Sequence, residues 1–262
     1  MSKLIEKLRK TSHAAPRRMG FGAIAAEGAV SAPVVLIAEL TSLSDARAAK
    51  EAGADAIYLQ ASSPSNLSAL EAAVKETELP VGLALAAVTP DMWTTLGEHG
   101  YDYVTVGLDS AARALDLQSM GLLLEVPLDT DDFLLRTLEQ LPVDALVIGD
   151  GLNRQVGLTI QCLMSYQRLA LLTRRPIMLR VEGELSAVEL GLLRDAGVQA
   201  ILAHADSGES QKTLSALRQA IKNIPPRRRK REERPEPFIP TAAPSSEIEE
   251  PEEIPSPPDM PD

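Results

Sequence analysis

Short apolar runs recur along this chain, and each run is introduced by a glycine or a proline. One series of these markers is Gly53, Gly100, Pro142 and Gly197, and a second series is Pro33, Pro80, Gly121 and Pro176. Successive markers lie 47, then 41 or 42, then 55 residues apart in both series. This spacing predicts a unit of two strands and two helices that is repeated four times.

The runs themselves predict the strands. They are short and nearly continuous in apolar residues, which is typical of strands buried on both faces of a parallel sheet. The predicted strands are Val34–Ala38, Ala56–Leu59, Val81–Val88, Val104–Leu108, Leu122–Val126, Ala145–Ile148, Ile177–Val181 and Ala200–Ala203.

The segments between the runs predict helices with recognisable ends. Pro64 and Pro90 each follow a hydroxyl residue and suit the first position of a helix, and Ser186 with Glu189 matches a capping box. Glycines suited to a left-handed helix C-cap stand at Gly53, Gly100 and Gly197. Strands and helices that alternate in this way predict a (β/α)8 TIM barrel over residues 33–224.

Residues 1–32 form an N-terminal extension with one short predicted helix. Leu4, Ile5 and Leu8 lie on one face of that helix, and we expect this face to cover part of the barrel. A helix that lies on a membrane surface is the alternative, although a single short apolar stripe binds membranes weakly.

Residues 225–262 form a C-terminal tail of different composition. Eleven of these 38 residues are proline, and the segment lacks the apolar surface that would offset the entropy of ordering it. We therefore predict a disordered tail. Its basic run, Arg227–Arg231, precedes an acidic cluster at Glu247–Glu253, which favours a solvated linker. The segment around Phe238 and Ile239 suggests a short motif that recruits a protein partner.

Composition narrows the classes of function. The formal net charge of −11 argues against nucleic-acid binding by the barrel. The single cysteine, Cys162, excludes an internal disulfide framework, and we expect it to pack in the core. The most apolar stretch, Phe21–Leu40, is interrupted by charged residues and predicts no membrane span. We therefore expect a cytoplasmic protein.

Aromatic residues make up 3% of the chain, which predicts a core of Leu, Val, Ile and Ala.

Polar side chains are concentrated where the predicted strands end. The reactive residues of such barrels lie at the C-terminal ends of the strands. Here those ends carry Glu39, Gln60, Asp109, Glu125, Asp150, Glu182, His204 and Asp206. Asp55, Asp102 and Asp144 lie instead at strand beginnings, and we assign them to stability.

Two loops add candidate ligand contacts. The loop at residues 151–157 predicts a mobile lid or an anion contact through Asn153 and Arg154. Ser207 and Gly208 open the last helix, whose free N–H groups suit an anion. The predicted ligand-binding residues are Gln60, Asn153, Arg154, Arg180, Glu182, Ser207 and Gly208.

The motif Ala38-Glu39, the motif Leu124-Glu125-Val126 and the pair Ile177–Gly183 and Asp195–Val198 resemble indole-3-glycerol phosphate synthase. More loosely, they resemble the wider phosphate-binding barrel group. The resemblance implies active-site roles for the two glutamates. However, Thr41 stands where the synthase has a lysine, and the apolar run Gly82–Ala87 replaces a second one. We therefore expect no synthase activity. Carboxylates at Glu182-Gly183-Glu184 would also repel a phosphate at the seventh strand.

Three uses of the barrel mouth remain open. The first is acid/base chemistry by Glu39 and Glu125, as in a lyase or isomerase, with one carboxyl kept protonated by its neighbour. The second is a divalent metal, for which the predicted ligands are Asp150, His204 and Asp206. The third is structural: Glu182 pairs with Arg180, His204 pairs with Asp206, and nothing reacts. The leading function is a small-molecule-binding barrel, and the alternative is a non-catalytic scaffold whose tail recruits a partner.

The helix predicted over residues 160–172 has apolar residues around most of its circumference. A helix in the outer ring of a monomeric barrel needs only one apolar stripe. The excess predicts a contact with a second subunit.

Overall fold

The computed structural model describes residues 2–12, 33–60, 73–85, 96, 100–112, 115, 120–152, 157–206 and 208–226, with residues 150–152 described by their backbone. These residues belong to one compact unit, residues 1–227.

Eight parallel strands close into a barrel in sequence order, and the last strand pairs with the first. The strands are β1 (Val35–Leu40), β2 (Ala56–Gln60), β3 (Val81–Leu85), β4 (Tyr103–Gly107), β5 (Gly121–Val126), β6 (Ala145–Leu152), β7 (Ile177–Val181) and β8 (Val198–His204). The prediction of a (β/α)8 barrel is therefore confirmed.

Helices lie between the strands. Those with defined bounds are α1 (Lys3–Ser12), α2 (Ala46–Glu51), α3 (Asp132–Thr137), α4 (Ile160–Thr173), α5 (Ala187–Asp195) and α6 (Gly208–Lys222). The capping box of Ser186 and Glu189 at the start of α5 is present. Gly197, directly after α5, has a φ of 104°, as a left-handed C-cap requires. Pro64 and Pro90 lie outside the described residues.

Two apolar cores lie on opposite sides of the sheet. The outer core packs the strands against the helices, and the inner core fills the barrel. Leu, Val, Ile and Ala dominate the outer core, as predicted. In the inner core the largest side chains are Tyr58 and Tyr103, which composition did not predict. The Tyr103 ring lies directly over Gly82, where any Cβ would overlap it.

Helix α1 closes the N-terminal end of the barrel. Leu4, Ile5 and Leu8 are buried in the inner core, so the apolar face of this helix covers the barrel, as predicted. Asp102 at the start of β4 holds the helix N-terminus. Its carboxylate accepts hydrogen bonds from Ser2 Oγ (2.8 Å) and from two backbone N–H groups, those of residues 3 and 4 (2.8 and 2.9 Å).

The other aspartates at strand beginnings also have structural partners. Asp55 accepts a hydrogen bond from the Leu36 N–H (3.0 Å) and pairs with Arg218 (2.5 Å). Asp144 accepts one from the Leu122 N–H (3.1 Å). Each carboxylate thus ties its strand to the start of the preceding strand. These contacts support the prediction that the aspartates at strand beginnings have structural roles.

Candidate active site at the barrel mouth

Arg180 on β7 lies at the centre of the barrel mouth. Its Nε donates a hydrogen bond to Glu39 Oε1 at 3.1 Å, and its Nη2 lies 3.0 Å from the same oxygen. Its Nη1 donates to the Gly149 carbonyl at 3.3 Å and lies 3.7 Å from Glu125 Oε1. One guanidinium therefore bridges two carboxylates from opposite sides of the barrel. We call Glu39, Arg180 and Glu125 the mouth triad.

The two carboxylates of the mouth triad differ in access to solvent. The side chain of Glu39 is 7% exposed, whereas that of Glu125 is 39% exposed. Burial is the largest single effect on Arg180 and disfavours its charged form, but the combined attraction of Glu39, Tyr58 and Glu125 outweighs it and raises the pKa of Arg180. Glu39 therefore anchors the guanidinium, and Glu125 is the carboxylate that a ligand can reach.

Gly149 on β6 makes room for the mouth triad. A Cβ at this position would overlap the carboxylate of Glu125. The pairing between β6 and β7 is also irregular between Ile148 and Leu152. This irregularity leaves the Gly149 carbonyl available to accept the hydrogen bond from Arg180.

Two buried hydroxyls lie within the barrel near the mouth triad. Tyr58 on β2 is in register with Glu39, and its hydroxyl is within electrostatic range of all three members of the triad. Burial raises the pKa of Tyr58, and the nearby Thr105 hydroxyl partly offsets this effect. Among the described residues, neither hydroxyl has a hydrogen-bond partner of normal geometry. Buried polar atoms of this kind are rare in proteins.

A cavity of about 380 Å³ opens on one side of the mouth triad, between the ends of β7 and β8. It is lined by Glu39 and Arg180, by Glu182 and Gly183 after β7, and by His204 at the end of β8. The first turns of α6 complete it with Glu209, Ser210 and Thr213. The ionisable lining is therefore mostly acidic.

A second cavity, of about 330 Å³, lies on the Glu125 side of the mouth triad. Leu108, Val126 and Pro127 give it apolar walls, and Asp109 adds a carboxylate. The mouth triad thus separates two cavities, each with at least one accessible carboxylate.

His204 and Asp206 interact as predicted. The Nε2 atom of His204 lies 3.2 Å from Asp206 Oδ2, and Asp206 Oδ1 accepts a hydrogen bond from the Thr41 N–H at 2.8 Å. Thr41 directly follows β1, so this contact links the mouth ends of β1 and β8.

The predicted pairing of Glu182 with Arg180 is wrong. Arg180 pairs with Glu39 and Glu125, while Glu182 is exposed at the rim of the first cavity. Arg180 and Glu182 are two residues apart, so strand alternation predicts that they share a face, and both line the first cavity. Strand alternation could not predict that Glu39, two strands away in the closed barrel, would lie closer to the guanidinium.

The remaining predicted ligand residues are only partly assembled. Gln60 is exposed at the end of β2. Gly208 lines a groove on the outside of the barrel between α2 and α6, not the mouth cavity. Asn153, Arg154 and Ser207 lie outside the described residues.

The predicted metal ligands do not form a group in the described part of the chain. There, no three side chains from His, Cys, Asp and Glu are placed to hold a metal ion. His204 and Asp206 form a pair, and the side chain of Asp150 is not among those described. A metal at this site remains a prediction.

Sequence reasoning missed three parts of the site, namely Tyr58, Thr105 and Gly149. A signal for Tyr58 was present, because it stands two residues before the strand-end residue Gln60 and so faces the barrel interior. Gly149 carried no signal that distinguished it from other strand glycines.

Comparison with solved structures identifies the fold of the chain. No family model matches the chain, and no curated protein matches it. Similar solved structures include N-(5'-phosphoribosyl)anthranilate isomerase from Pyrococcus furiosus, the native KDPGal structure and the tryptophan synthase alpha chain from Legionella pneumophila subsp. pneumophila. Their TM-scores are 0.52, 0.55 and 0.57, at identities of 16%, 15% and 14%. The chain is a TIM barrel.

The structural similarity covers most of this chain and nearly all of each compared structure. The aligned regions cover 73%, 73% and 86% of this chain and 99%, 95% and 98% of the three structures, in the same order. The match therefore spans nearly the whole of each compared barrel. At these identities it establishes the fold and not a reaction. The finer resemblance to indole-3-glycerol phosphate synthase stays a prediction.

Within the described residues, no helix is long and apolar enough to cross a membrane.

Proposed function

We propose that the barrel mouth binds a small molecule and that Glu125 is the carboxylate that contacts it, in the manner of a lyase or an isomerase. The observation that carries this proposal is the mouth triad. Burying a guanidinium and a carboxylate costs several kcal/mol of desolvation, which their mutual attraction often fails to recover. An apolar pair would fill the same space more cheaply, so a functional role for these charges is the simplest reason for them.

Glu125 and Glu39 have different roles in this proposal. Glu125 faces a cavity, keeps partial solvent access and lies 3.7 Å from Arg180, which is too long for a hydrogen bond. A ligand can therefore contact Glu125 without breaking a strong interaction. Glu125 would accept or donate a proton, and Glu39 would hold Arg180 in place. This replaces the hypothesis that one of the two carboxyls is kept protonated by the other.

The charge of the mouth restricts the ligand. Glu182 and Glu209 line the cavity between β7 and β8, and Arg180 is already paired with Glu39. A phosphate group placed there would face two carboxylates without an unpaired cation from Arg180. We therefore propose a ligand whose contacts are made by neutral or cationic groups, and a barrel that has diverged from phosphate recognition.

A non-catalytic scaffold is the second candidate. It is favoured by the fact that Arg180 is paired with groups of the protein itself, so the mouth triad needs no ligand for charge balance. In that case, replacing the triad with apolar residues would only stabilise the barrel. Recruitment of a partner by residues 225–262 belongs to this second candidate.

A thermal-shift screen distinguishes the two candidates. The probes are inorganic phosphate, small carboxylates, amines and neutral sugars, tested on the wild-type chain and on Glu125→Gln. Glu51→Gln is the control, since Glu51 is exposed on α2 outside the mouth. We expect at least one neutral or cationic probe to raise the melting temperature of the wild type and of the control but not that of Glu125→Gln. Equal shifts in all three proteins would contradict the proposed site.

A further inference from the structure

The outer side of α4 exposes large apolar side chains along its whole length. Ile160 is 78% exposed, Met164 is 66% exposed and Leu171 is 70% exposed. With Gln167 they are spaced by four, three and four residues, so they lie on one face of the helix. This is the spacing found where one helix packs against another.

Helix α4 also has very little charge. Arg168 is the one charged residue among its 14 positions. The Arg168 side chain is held toward α3, where it pairs with Asp132 at 2.6 Å and donates a hydrogen bond to the Leu128 carbonyl at 2.8 Å. The exposed stripe therefore contains no charged residue. The outer helix of a monomeric barrel normally presents a polar face to water.

The neighbouring helix α3 also exposes large apolar side chains. Phe133 and Leu134 are both more than half exposed. A groove of about 330 Å³ lies between α3 and α4. Met164, Leu171 and Leu172 line it together with Gln167 and the Arg168–Asp132 pair. We call the exposed side chains of Phe133, Leu134, Ile160, Met164 and Leu171 the α3–α4 face.

The area of this face is comparable to the apolar part of one side of a standard dimer interface. Large aromatic side chains cover about 150–250 Å² each; with the lower value for all five members, their exposed fractions correspond to about 500 Å² of mostly apolar surface. A standard interface takes about 800 Å² from each partner, of which about 65% is apolar in homodimers. The face therefore provides about the apolar area that one half of such an interface needs.

We infer that the α3–α4 face is the contact surface between two copies of this chain, related by a twofold axis that packs α4 against its symmetry mate. A twofold contact pairs the same patch with itself, and an uncharged apolar stripe meets its own copy without repulsion. The Arg168–Asp132 pair lies in the groove between the two helices and is neutral as a pair, and Arg174 pairs with Glu139 at 3.4 Å just after α4. The inference does not depend on the function proposed for the mouth.

Sedimentation velocity of the full chain at tens of micromolar tests the inference. The expected mass of the wild type is twice the chain mass of 28.1 kDa. Met164→Asp combined with Leu171→Asp should halve that mass, because each dimer would bury four unpaired carboxylates. Met164→Leu combined with Leu171→Met should keep the dimer. The charge control is Ser215→Asp, at an exposed position on α6, and it should also stay dimeric.

Circular dichroism of each variant shows whether the fold is retained. A wild type that sediments as a monomer would overturn the inference. A dimer that persists in the folded double-aspartate variant would also overturn it, since the contact would then lie elsewhere. Purification of the wild type as a complex with a different protein, lost in the double-aspartate variant, would replace the second copy by that partner.

Discussion

Glu39 and Arg194 are the charged residues that the described part of the chain buries. Arg194 lies on α5 and binds Asp195 and the Pro225 carbonyl, so it has a structural reason for its position. Glu39 lies in the barrel mouth, and its described side-chain partner is Arg180. The Glu39–Arg180 pair therefore carries a desolvation cost that no evident packing interaction offsets.

The cost of separating this pair is measurable. Arg180→Met leaves Glu39 buried without its partner and should lower the free energy of unfolding by about 2–3 kcal/mol. This is less than the 3–5 kcal/mol of a fully buried pair because Arg180 retains some solvent access. Glu39→Leu combined with Arg180→Met should recover most of the loss. Arg47→Met, which removes an exposed ion pair, should have no measurable effect. Urea unfolding gives all four values, and a double variant as unstable as Arg180→Met would contradict this account.

At the scale of elements, the strand ends were predictable and the contacts between them were not. The position of Glu39 and Glu125 at the barrel mouth was predictable, because parallel strands of a barrel present their C-terminal ends at one mouth. The bridge from Arg180 to Glu39 spans 141 residues of sequence and depends on the barrel's closure and register, which periodicity does not encode. Helix α1 was predicted because Leu4, Ile5 and Leu8 share one face. The capping role of Asp102 was not predicted, because this residue lies 98 positions from Leu4 in the sequence.

Helix α1 depends on Asp102 for its start. Asp102→Ala removes the acceptor of three hydrogen bonds and should lower the free energy of unfolding by about 1–2 kcal/mol, as the loss of a helix N-cap does. The rate of backbone amide hydrogen exchange should increase more in α1 than in the strands. Glu6→Ala, at an exposed position of the same helix, is the control. Unchanged exchange in α1 of Asp102→Ala would show that apolar packing alone holds the helix.

The cavity between β7 and β8 gives a second prediction for elements. Glu182 and Glu209 line it beside the N-terminus of α6, where free N–H groups would otherwise attract an anion. Glu182→Gln combined with Glu209→Gln should create measurable binding of inorganic phosphate, whereas the wild type should bind none. Calorimetry at constant ionic strength, with chloride as the control anion, tests this. Phosphate binding by the wild type would contradict the proposed departure from phosphate recognition.

At the scale of the whole molecule, the buried tyrosines determine the behaviour at high pH. Burial raises the pKa of Tyr58 and of Tyr103 well above the ordinary value, and it raises the pKa of Tyr166 to about 12. Unfolded tyrosines lose their protons near pH 10, so above that pH the native state binds more protons than the unfolded state. Stability is then lost as the pH rises.

Each of these tyrosines should contribute a loss of up to about 1.4 kcal/mol per pH unit above pH 10. The protein should therefore unfold cooperatively in alkali, and tyrosinate absorption should appear together with the loss of circular dichroism. Ionisation of more than one of the four tyrosines while the circular dichroism stays native would contradict the burial of these hydroxyls.

The central claim is that the barrel mouth binds a small molecule through Glu125. The most direct measurement is native mass spectrometry of the purified wild type and of Glu125→Gln, each exposed to a cell-derived metabolite extract. The account predicts a bound small molecule on the wild type and its loss from a folded Glu125→Gln. If the wild type binds nothing and Glu125→Leu is simply more stable, the mouth triad is structural and the claim is wrong.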